Sequence, residues 1–480
     1  MSPGRRTTHF FVSPMTIRFG TSGWRGILAD DFGFAGARAV SAAVARWARE
    51  SGPRPRVVVA HDTRFLGDRF ASAAARVLTA AGVRPIRASG PVPTPVVSFA
   101  VRHRRAAAGI IFTASHNPPE YQGLKVLAPW GGCATDEITA RLEVWAAEAL
   151  AFGPPPESEP RGGAVDLTSP YLEQLLGQLD RSCLRRSGIR VFYDALHGTG
   201  AGVLDLALRR CGLAVELRRG DRDPYFGGGS PDPVPERLVS LAREVRRANG
   251  LRLGLATDGD ADRFGVIDAD GRLLSESEAL ALLVDHLART GRIRRGVAIS
   301  IATGSLVEKV ARSHGLSVRR FPIGFKCLSG ALVEGEADVA GEESGGFAWG
   351  RVARDKDGIL ASCLLAEAMA KTRAPLRARL TALERAHGRS ACGRIAIAAD
   401  EPARGGLAAL RSSPPSEVDG ARVTGCDEGD GLYVTLDDGF LMFRASGTEP
   451  VLRIYAEARG PRLLSRRLRI GAELLARAGR

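Results

Sequence analysis

Asp258, Asp260 and Asp262 stand two residues apart in "TDGDADRFG" (257–265), between the apolar runs "LRLGLA" and "FGVID". That spacing wraps side chains around one point instead of laying them along a helical face. Three carboxylates so close repel strongly unless a cation lies among them. Oxygen donors alone suit a hard ion, Mg²⁺ first. The opening resembles an EF-hand calcium loop, but its sixth position is Arg263 instead of glycine and its twelfth is Ala269 instead of glutamate. An EF-hand is therefore excluded. A solvated acidic turn is the simpler alternative, and the apolar strands on both sides argue against it.

A second candidate is "TASHNPPEYQGLKV" (113–126), where Ser115 adjoins His116 and two prolines forbid a helix. The pair suggests a nucleophile with its base, but the chain has no GxSxG elbow to present such a serine. "RASGTEP" (444–450) joins two apolar runs and gathers Arg444, the Ser446 and Thr448 hydroxyls and the backbone at Gly447, with no acid before Glu449. Such donors can cradle a phosphate dianion. The same small residues also make a plain hairpin turn, and the residues alone leave both readings open. "GEESGG" (341–346) sets Glu342, Glu343 and Ser344 among glycines, which suits sugar-hydroxyl recognition, metal binding or a simple turn. "GTSGWRG" (20–26) offers Arg25 on a glycine-rich loop but is no Walker sequence, and GxxxxGK[ST] occurs nowhere in the chain. His197, at the end of an apolar run, reads as a satisfied loop histidine.

Lysine is scarce. It occurs only at 125, 309, 326, 356 and 371, so the net charge of +14 is almost entirely arginine. The arginines are spread along the chain without interleaved aromatics or helix-turn-helix and zinc-finger spacings, which argues against nucleic-acid binding. A basic protein still favours an anionic small substrate. Where arginine is the default cation, a retained lysine hints at a task that arginine does badly, such as giving up a proton. Lys125, Lys326 and Lys356 fall in turn-rich stretches; Lys309 and Lys371 sit in helical patterns.

These residues need a scaffold. A chain of 480 residues is too long for one ordinary core and suits three or four domains. With 44% apolar and 25% charged residues the composition is that of a soluble globular protein, and no run approaches the roughly 18 apolar residues of a membrane span. The N-terminal "MSPGRRTTHFFVSPM" has an arginine pair but no hydrophobic stretch, so no secretory signal is expected, and Met15 is an alternative start. Seven scattered cysteines without CxxC spacing read as reduced, and the expected location is the cytoplasm.

The runs at 56–62, 109–115, 189–198, 251–258 and 296–304 read as buried strands ending in polar loops, with helical spacing between them at 34–50 and 68–82. Strand and helix in alternation predict α/β layers with ligands at the carboxyl ends of strands. Breaks at 152–163, near 268–275 and around 371–380 divide the chain into units expected at 15–155, 164–270, 271–376 and 377–480, the last rich in strands.

Taken in order, "GTSGWRG", "TASHNP", "DGDADR", "GEESGG" and "RASGTEP" resemble the signatures of the α-D-phosphohexomutase family, the phosphoglucomutases and phosphomannomutases. The resemblance spans roughly residues 17 to 460. It implies three similar α/β domains with mixed sheets and a C-terminal α+β domain, their loops meeting at one cleft. It makes Ser115 the phosphorylated serine. Asp258, Asp260 and Asp262 become Mg²⁺ ligands, with a phosphoserine oxygen completing the shell. Glu342 and Ser344 hold sugar hydroxyls, while Arg444, Ser446, Gly447 and Thr448 grip the phosphate not being transferred, with Arg453 nearby. Lys125 is the general acid/base, assisted by Arg25 and His116.

Two departures shape the expectation. Some family members carry Gly-His-Ser where this chain has "IGFKCL" (323–328), so Lys326 is expected to replace a histidine contact to substrate. Glu343, and "RDKDGI" (354–359), look like the glucose-type branch. The implied activity is interconversion of hexose 1-phosphate and hexose 6-phosphate, glucose first and mannose second, through a 1,6-bisphosphate that also primes the enzyme. Alternatives are a hexose 1,6-bisphosphate synthase, a phosphoglucosamine mutase and a silent sugar-phosphate sensor. The partners implied are small sugar phosphates, with neither nucleic acid nor membrane, for a monomer or homodimer.

Overall fold

The computed structural model describes residues 17–446 and 451–479. Its strands form four sheets, and the first three share one plan. The first sheet comprises β1 (Trp24–Ile27), β2 (Arg56–His61), β3 (Arg84–Arg87), β4 (Ala108–Phe112) and β5 (Tyr121–Leu127), in the order β1-β5-β4-β2-β3. The second has β6 (Arg190–Asp194), β7 (Ala214–Arg218), β8 (Arg252–Thr257) and β9 (Phe264–Ile267), ordered β7-β6-β8-β9. The third repeats it with β10 (Gly296–Ser300), β11 (Ser317–Phe321), β12 (Val339–Gly341) and β13 (Phe347–Trp349), ordered β11-β10-β12-β13.

In each of the three, two parallel pairings surround a central strand, and the last strand folds back antiparallel on its predecessor. That final hairpin places a short loop at the carboxyl end of a buried parallel strand, where polar groups can converge on a ligand. The three loops are 113–120, 258–263 and 342–346, and each carries one of the candidate motifs.

The fourth sheet is antiparallel: β14 (Ala391–Ala398), β15 (Glu417–Val418), β16 (Ala421–Asp427), β17 (Leu432–Leu436), β18 (Gly439–Ala445) and β19 (Val451–Ala458) lie in the order β14-β19-β18-β17-β16-β15. Two helices, Glu401–Ser412 and Pro461–Ala478, pack together beside it. The β18–β19 turn carries the remaining motif, and its residues Gly447 and Thr448 lie outside the described residues.

Sequence explains the layers. The strands β4 and β10 are buried along their whole length, as apolar strands covered on both faces must be. The helix Phe34–Arg49 turns Ala37, Val40, Val44 and Ala48 inward at helical spacing. The helix Gly358–Thr372 is buried almost all round and begins with Asp357 capping the Leu360 N–H. It packs against elements of both the second and third units, so one apolar core runs from the first sheet to the helix Leu376–His387. A separate core fills the last unit. None of the seven cysteines is disulfide-bonded, and no helix among the described residues is long and apolar enough to cross a membrane.

Candidate active site

Ser115 sits on the β4–β5 turn with φ at 54°, in the left-handed region that a non-glycine residue enters at about 1–2 kcal/mol. The surrounding fold holds it there. Its N–H donates to Thr113 Oγ1 at 2.8 Å, and its side chain is almost fully enclosed, the residue being 1% exposed. The hydroxyl donates to Asp258 Oδ2 at 2.7 Å, whereas His116 Nδ1 stands 3.4 Å away at the limit of a hydrogen bond. Burial, with Arg263 and Arg25 nearby, holds the His116 ring well below the usual histidine range. The imidazole is a neutral neighbour, and the partner of the serine is a carboxylate.

Asp258, Asp260 and Asp262 each present an oxygen within 4.8 Å of the others, and all three are buried. Burial and the two neighbouring carboxylates push the Asp258 acid well above its ordinary pKa. Lys125, on β5 opposite Ile111, reaches into this group, with Nζ 2.5 Å from Asp260 Oδ2 and 2.6 Å from Asp262 Oδ2. Burial works against its charge, but the two aspartates outweigh burial and raise its pKa. Thr94 Oγ1 donates to Asp260 at 2.5 Å. Asp260 Oδ1 and Asp262 Oδ1 remain buried without a hydrogen-bond partner. Two orphaned oxygens in an all-oxygen donor set, beside the Ser115 hydroxyl, fit a hard divalent cation.

The sugar-loop candidates adjoin the same group. Glu342 is buried, accepts from Ser344 Oγ at 2.7 Å, and closes its turn by donating its N–H to Gly346 O at 3.0 Å. Lys356, 3% exposed, lies between the two loops, with Nζ 3.4 Å from Asp262 Oδ2 and 3.8 Å from Glu342 Oε1. A Cβ at Gly346 would stand 2.5 Å from the Lys356 stem and 2.7 Å from Glu342 Oε1, so only glycine admits this approach. Gly346 also forms a β-bridge with Arg263, which ties the 342–346 loop to the aspartate loop. Arg25 donates to Asn117 Oδ1 at 2.6 Å, anchoring β1 to the serine turn.

Other candidates have protein partners. Lys326 donates to Asp136 Oδ1 at 2.6 Å and so bridges the third unit to the first, while lining a small cavity with Lys125 and Lys356. Arg444 on β18 donates to Asp430 Oδ1 at 2.7 Å, and Asp430 Oδ2 accepts the Ile323 N–H at 2.6 Å. Asp430 thereby couples Arg444 to the segment that leads into the helix Phe325–Val333. Arg453 on β19 lies across from Arg444, and Ser446 closes the described part of the turn by donating to Val451 O at 2.9 Å.

Glu343 has partners different from those of Glu342. It accepts from Ser300 Oγ at 2.5 Å and lies 4.0 Å from Arg394 of β14. Lys356, Arg263 and Arg394 join the site without being marked as site residues by their sequence motifs. The scarcity of lysine drew attention to Lys356, and Arg263 lay inside the aspartate motif. Nothing local marked Arg394, which the fold alone carries to the cleft.

Comparison with known proteins identifies the family and the fold. Profiles of the phosphoglucomutase/phosphomannomutase family match over the α/β/α domains I (16–149), II (169–271) and III (275–386) and the C-terminal domain (399–469). The chain is 31% identical to a phosphoglucomutase/phosphomannomutase of Thermococcus kodakarensis, covering 96% of this chain and 98% of that one. It is 30% identical to a phosphoglucosamine mutase of Cereibacter sphaeroides, covering 93% and 96% respectively. The crystal structure of a Thermus thermophilus protein assigned as a phosphomannomutase superposes with a TM-score of 0.86 at 33% identity, over 96% of this chain and 99% of that one. The chain belongs to the phosphoglucomutase/phosphomannomutase family and is a phosphohexomutase, an isomerase that works by phosphoryl transfer.

Proposed function

We propose that the enzyme interconverts hexose 1-phosphate and hexose 6-phosphate, glucose before mannose, by way of phosphorylated Ser115 and a hexose 1,6-bisphosphate. The observation that carries this reading is the Ser115 hydroxyl, buried on a strained turn and donating to Asp258 within three carboxylates. A hydrolytic serine needs a base within reach and an oxyanion site; this one has a cation-ready cage. Asp258, Asp260 and Asp262 would hold Mg²⁺, with an oxygen of the serine phosphate. Bound there, the ion would neutralise charge on the transferring phosphoryl group.

The protein's own groups supply the rest. In the forward step the bond between Ser115 Oγ and phosphorus breaks as a sugar hydroxyl oxygen bonds to phosphorus. The aspartates keep Lys125 and Lys356, the two amines in the cage, protonated, so one of them gives its proton to the departing Ser115 oxygen and, once neutral, takes the proton the sugar hydroxyl loses. Arg25 and Arg263 add positive charge, and neutral His116 assists near the serine. Glu342 and Ser344 orient sugar hydroxyls from one side. Arg444, Ser446, Gly447, Thr448 and Arg453 hold the distal phosphate, with Lys326 beside the cavity. The bisphosphate then turns end for end and returns its other phosphate to Ser115.

Glucose is placed first because "RDKDGI" and Glu-Glu-Ser look like the glucose-type branch, and Lys356 of that stretch stands against Glu342. The second reading is a phosphoglucosamine mutase, favoured by the relative of that name at 30% identity. A coupled assay of kcat/KM for the 1-phosphates of glucose, mannose and glucosamine separates them, with glucose expected highest. Ser115→Ala is expected to abolish turnover. An active variant at Ser115 overturns the phosphoserine reading, and net release of bisphosphate from excess monophosphate converts the assignment to a synthase.

A further inference from the structure

Ser115 is gripped on both sides of its peptide. Thr113 Oγ1 takes its N–H, and Arg64 donates to its carbonyl oxygen at 2.7 Å. The same guanidinium donates to the carbonyls of Asn117 at 2.5 Å, Pro118 at 2.8 Å and Tyr121 at 3.0 Å. Both terminal nitrogens therefore spend all four N–H groups on one loop, and Nε faces Asp62 Oδ2 at 3.3 Å. A turn with two prolines and a left-handed serine offers its carbonyls few backbone donors, Pro118 O taking the Tyr121 N–H at 3.1 Å, and buried carbonyls need donors. Only a guanidinium fork reaches four at once.

This clamp also touches the second unit. The Arg64 guanidinium lies over the Phe226 ring at 4.8 Å, and Arg222 Nε donates to Thr63 O at 3.1 Å. The aspartate loop packs against the same carbonyl. A Cβ at Gly259 would stand 2.6 Å from Ser115 O. We infer that Arg64 is a positioning residue for phosphoryl transfer: it locks Ser115 in its left-handed turn so that Oγ stays at Asp258, and it ties the serine loop to the second unit as one body. The inference rests on Ser115 being the phosphoryl carrier.

Arg64→Lys tests it. The lysine keeps a charge beside Asp62 but has three donors on one atom, so it cannot hold the four carbonyls. The expected result is a fall in kcat of about 10–100-fold, with KM for glucose 1-phosphate within about twofold of wild type and Ser115 still phosphorylated by bisphosphate. A lower Tm with unchanged kcat per folded molecule overturns the inference, as does a KM raised in proportion to the loss of kcat. Should Arg64→Lys not fold, Thr113→Val loosens the same residue from its N–H side. A fall in kcat at constant KM then supports the clamp, and wild-type kcat overturns it. Wild-type phosphate content, measured alongside, separates the two claims. Active wild type without phosphate on Ser115 defeats the phosphoserine reading, whereas phosphorylated wild type with fully active Arg64→Lys defeats only the clamp.

Discussion

Replacing Asp258 with asparagine should stabilise the metal-free protein while destroying its activity. The three aspartate oxygens lie within 4.8 Å of one another. At an effective dielectric of about 20, two unit charges at that distance repel by about 3.5 kcal/mol. A fully ionised Asp258 would feel two of the three pairs, about 7 kcal/mol before any offset, and its raised pKa means that the wild type already relieves part of this by holding a proton. Lys125 and Lys356 already counter much of this, and replacements of buried charges net about 1–4 kcal/mol, so a gain of about 2 kcal/mol is expected. The amide keeps the contacts. Its Oδ1 accepts the Arg263 N–H, which lies 3.0 Å from that oxygen in the wild type, and its amide nitrogen faces the Ser115 hydroxyl. For a chain of this length about 2 kcal/mol corresponds to a Tm rise of about 2 °C. Differential scanning fluorimetry with chelator should show that rise. Added Mg²⁺ should then stabilise the wild type and leave Asp258→Asn unmoved, and turnover should fall by about 10³-fold or more. A lower Tm in chelator, or an Mg²⁺ shift equal to wild type, would refute the reasoning.

Lys356→Met should lower kcat by about 10²–10³-fold because it removes a proton carrier, and should lower Tm in chelator because it takes away a cation that offsets the buried Asp262 and Glu342 carboxylates; Lys356→Arg should fail to restore the rate, since arginine holds its proton. Wild-type kcat in either variant leaves Lys125 as the sole candidate. A pH effect on stability is expected at Asp357, whose carboxyl is pushed up to about 6 by burial. A carboxyl raised in the folded state stabilises most below its unfolded pKa near 3.9, and that contribution is lost as pH rises through about 6, about 3 kcal/mol at most. Asp357→Asn keeps a cap for Leu360 and a partner for Tyr171, so urea unfolding at pH 4 and pH 7 should show the wild type gaining stability relative to the variant at the lower pH. Parallel curves would contradict this.

Much of this arrangement was legible in the sequence, for definite physical reasons. Strands such as β2, β4, β8 and β10 announce themselves because a strand covered on both faces must be apolar throughout. The loops that follow them stand out because serine, aspartate and glutamate between such runs have few structural uses. That the serine, aspartate and glutamate loops share one position in three repeated sheets could not be read from residues, since the repeats share topology and not sequence. Partners across the chain were equally hidden. Lys326 finds Asp136, Glu343 turns to Ser300 and Arg394, and Arg64 reaches a loop some fifty positions away. Lys326–Asp136 and Glu343–Arg394 depend on how separate units are set against each other, while the Arg64 and Ser300 contacts depend on which strands lie side by side in one sheet, and local pattern records neither. Arginine, the commonest charge here, gave no contrast by which Arg64, Arg263 or Arg394 could be singled out.

The central claim is that Ser115 carries the phosphoryl group, and peptide-level mass spectrometry of the active enzyme during single turnover tests it most directly. Phosphate should be found on the peptide containing Ser115, leave it when hexose monophosphate is added, appear in hexose 1,6-bisphosphate and return to the serine as product forms. An enzyme that turns over at full rate with Ser115 unphosphorylated and no bisphosphate present would contradict the account.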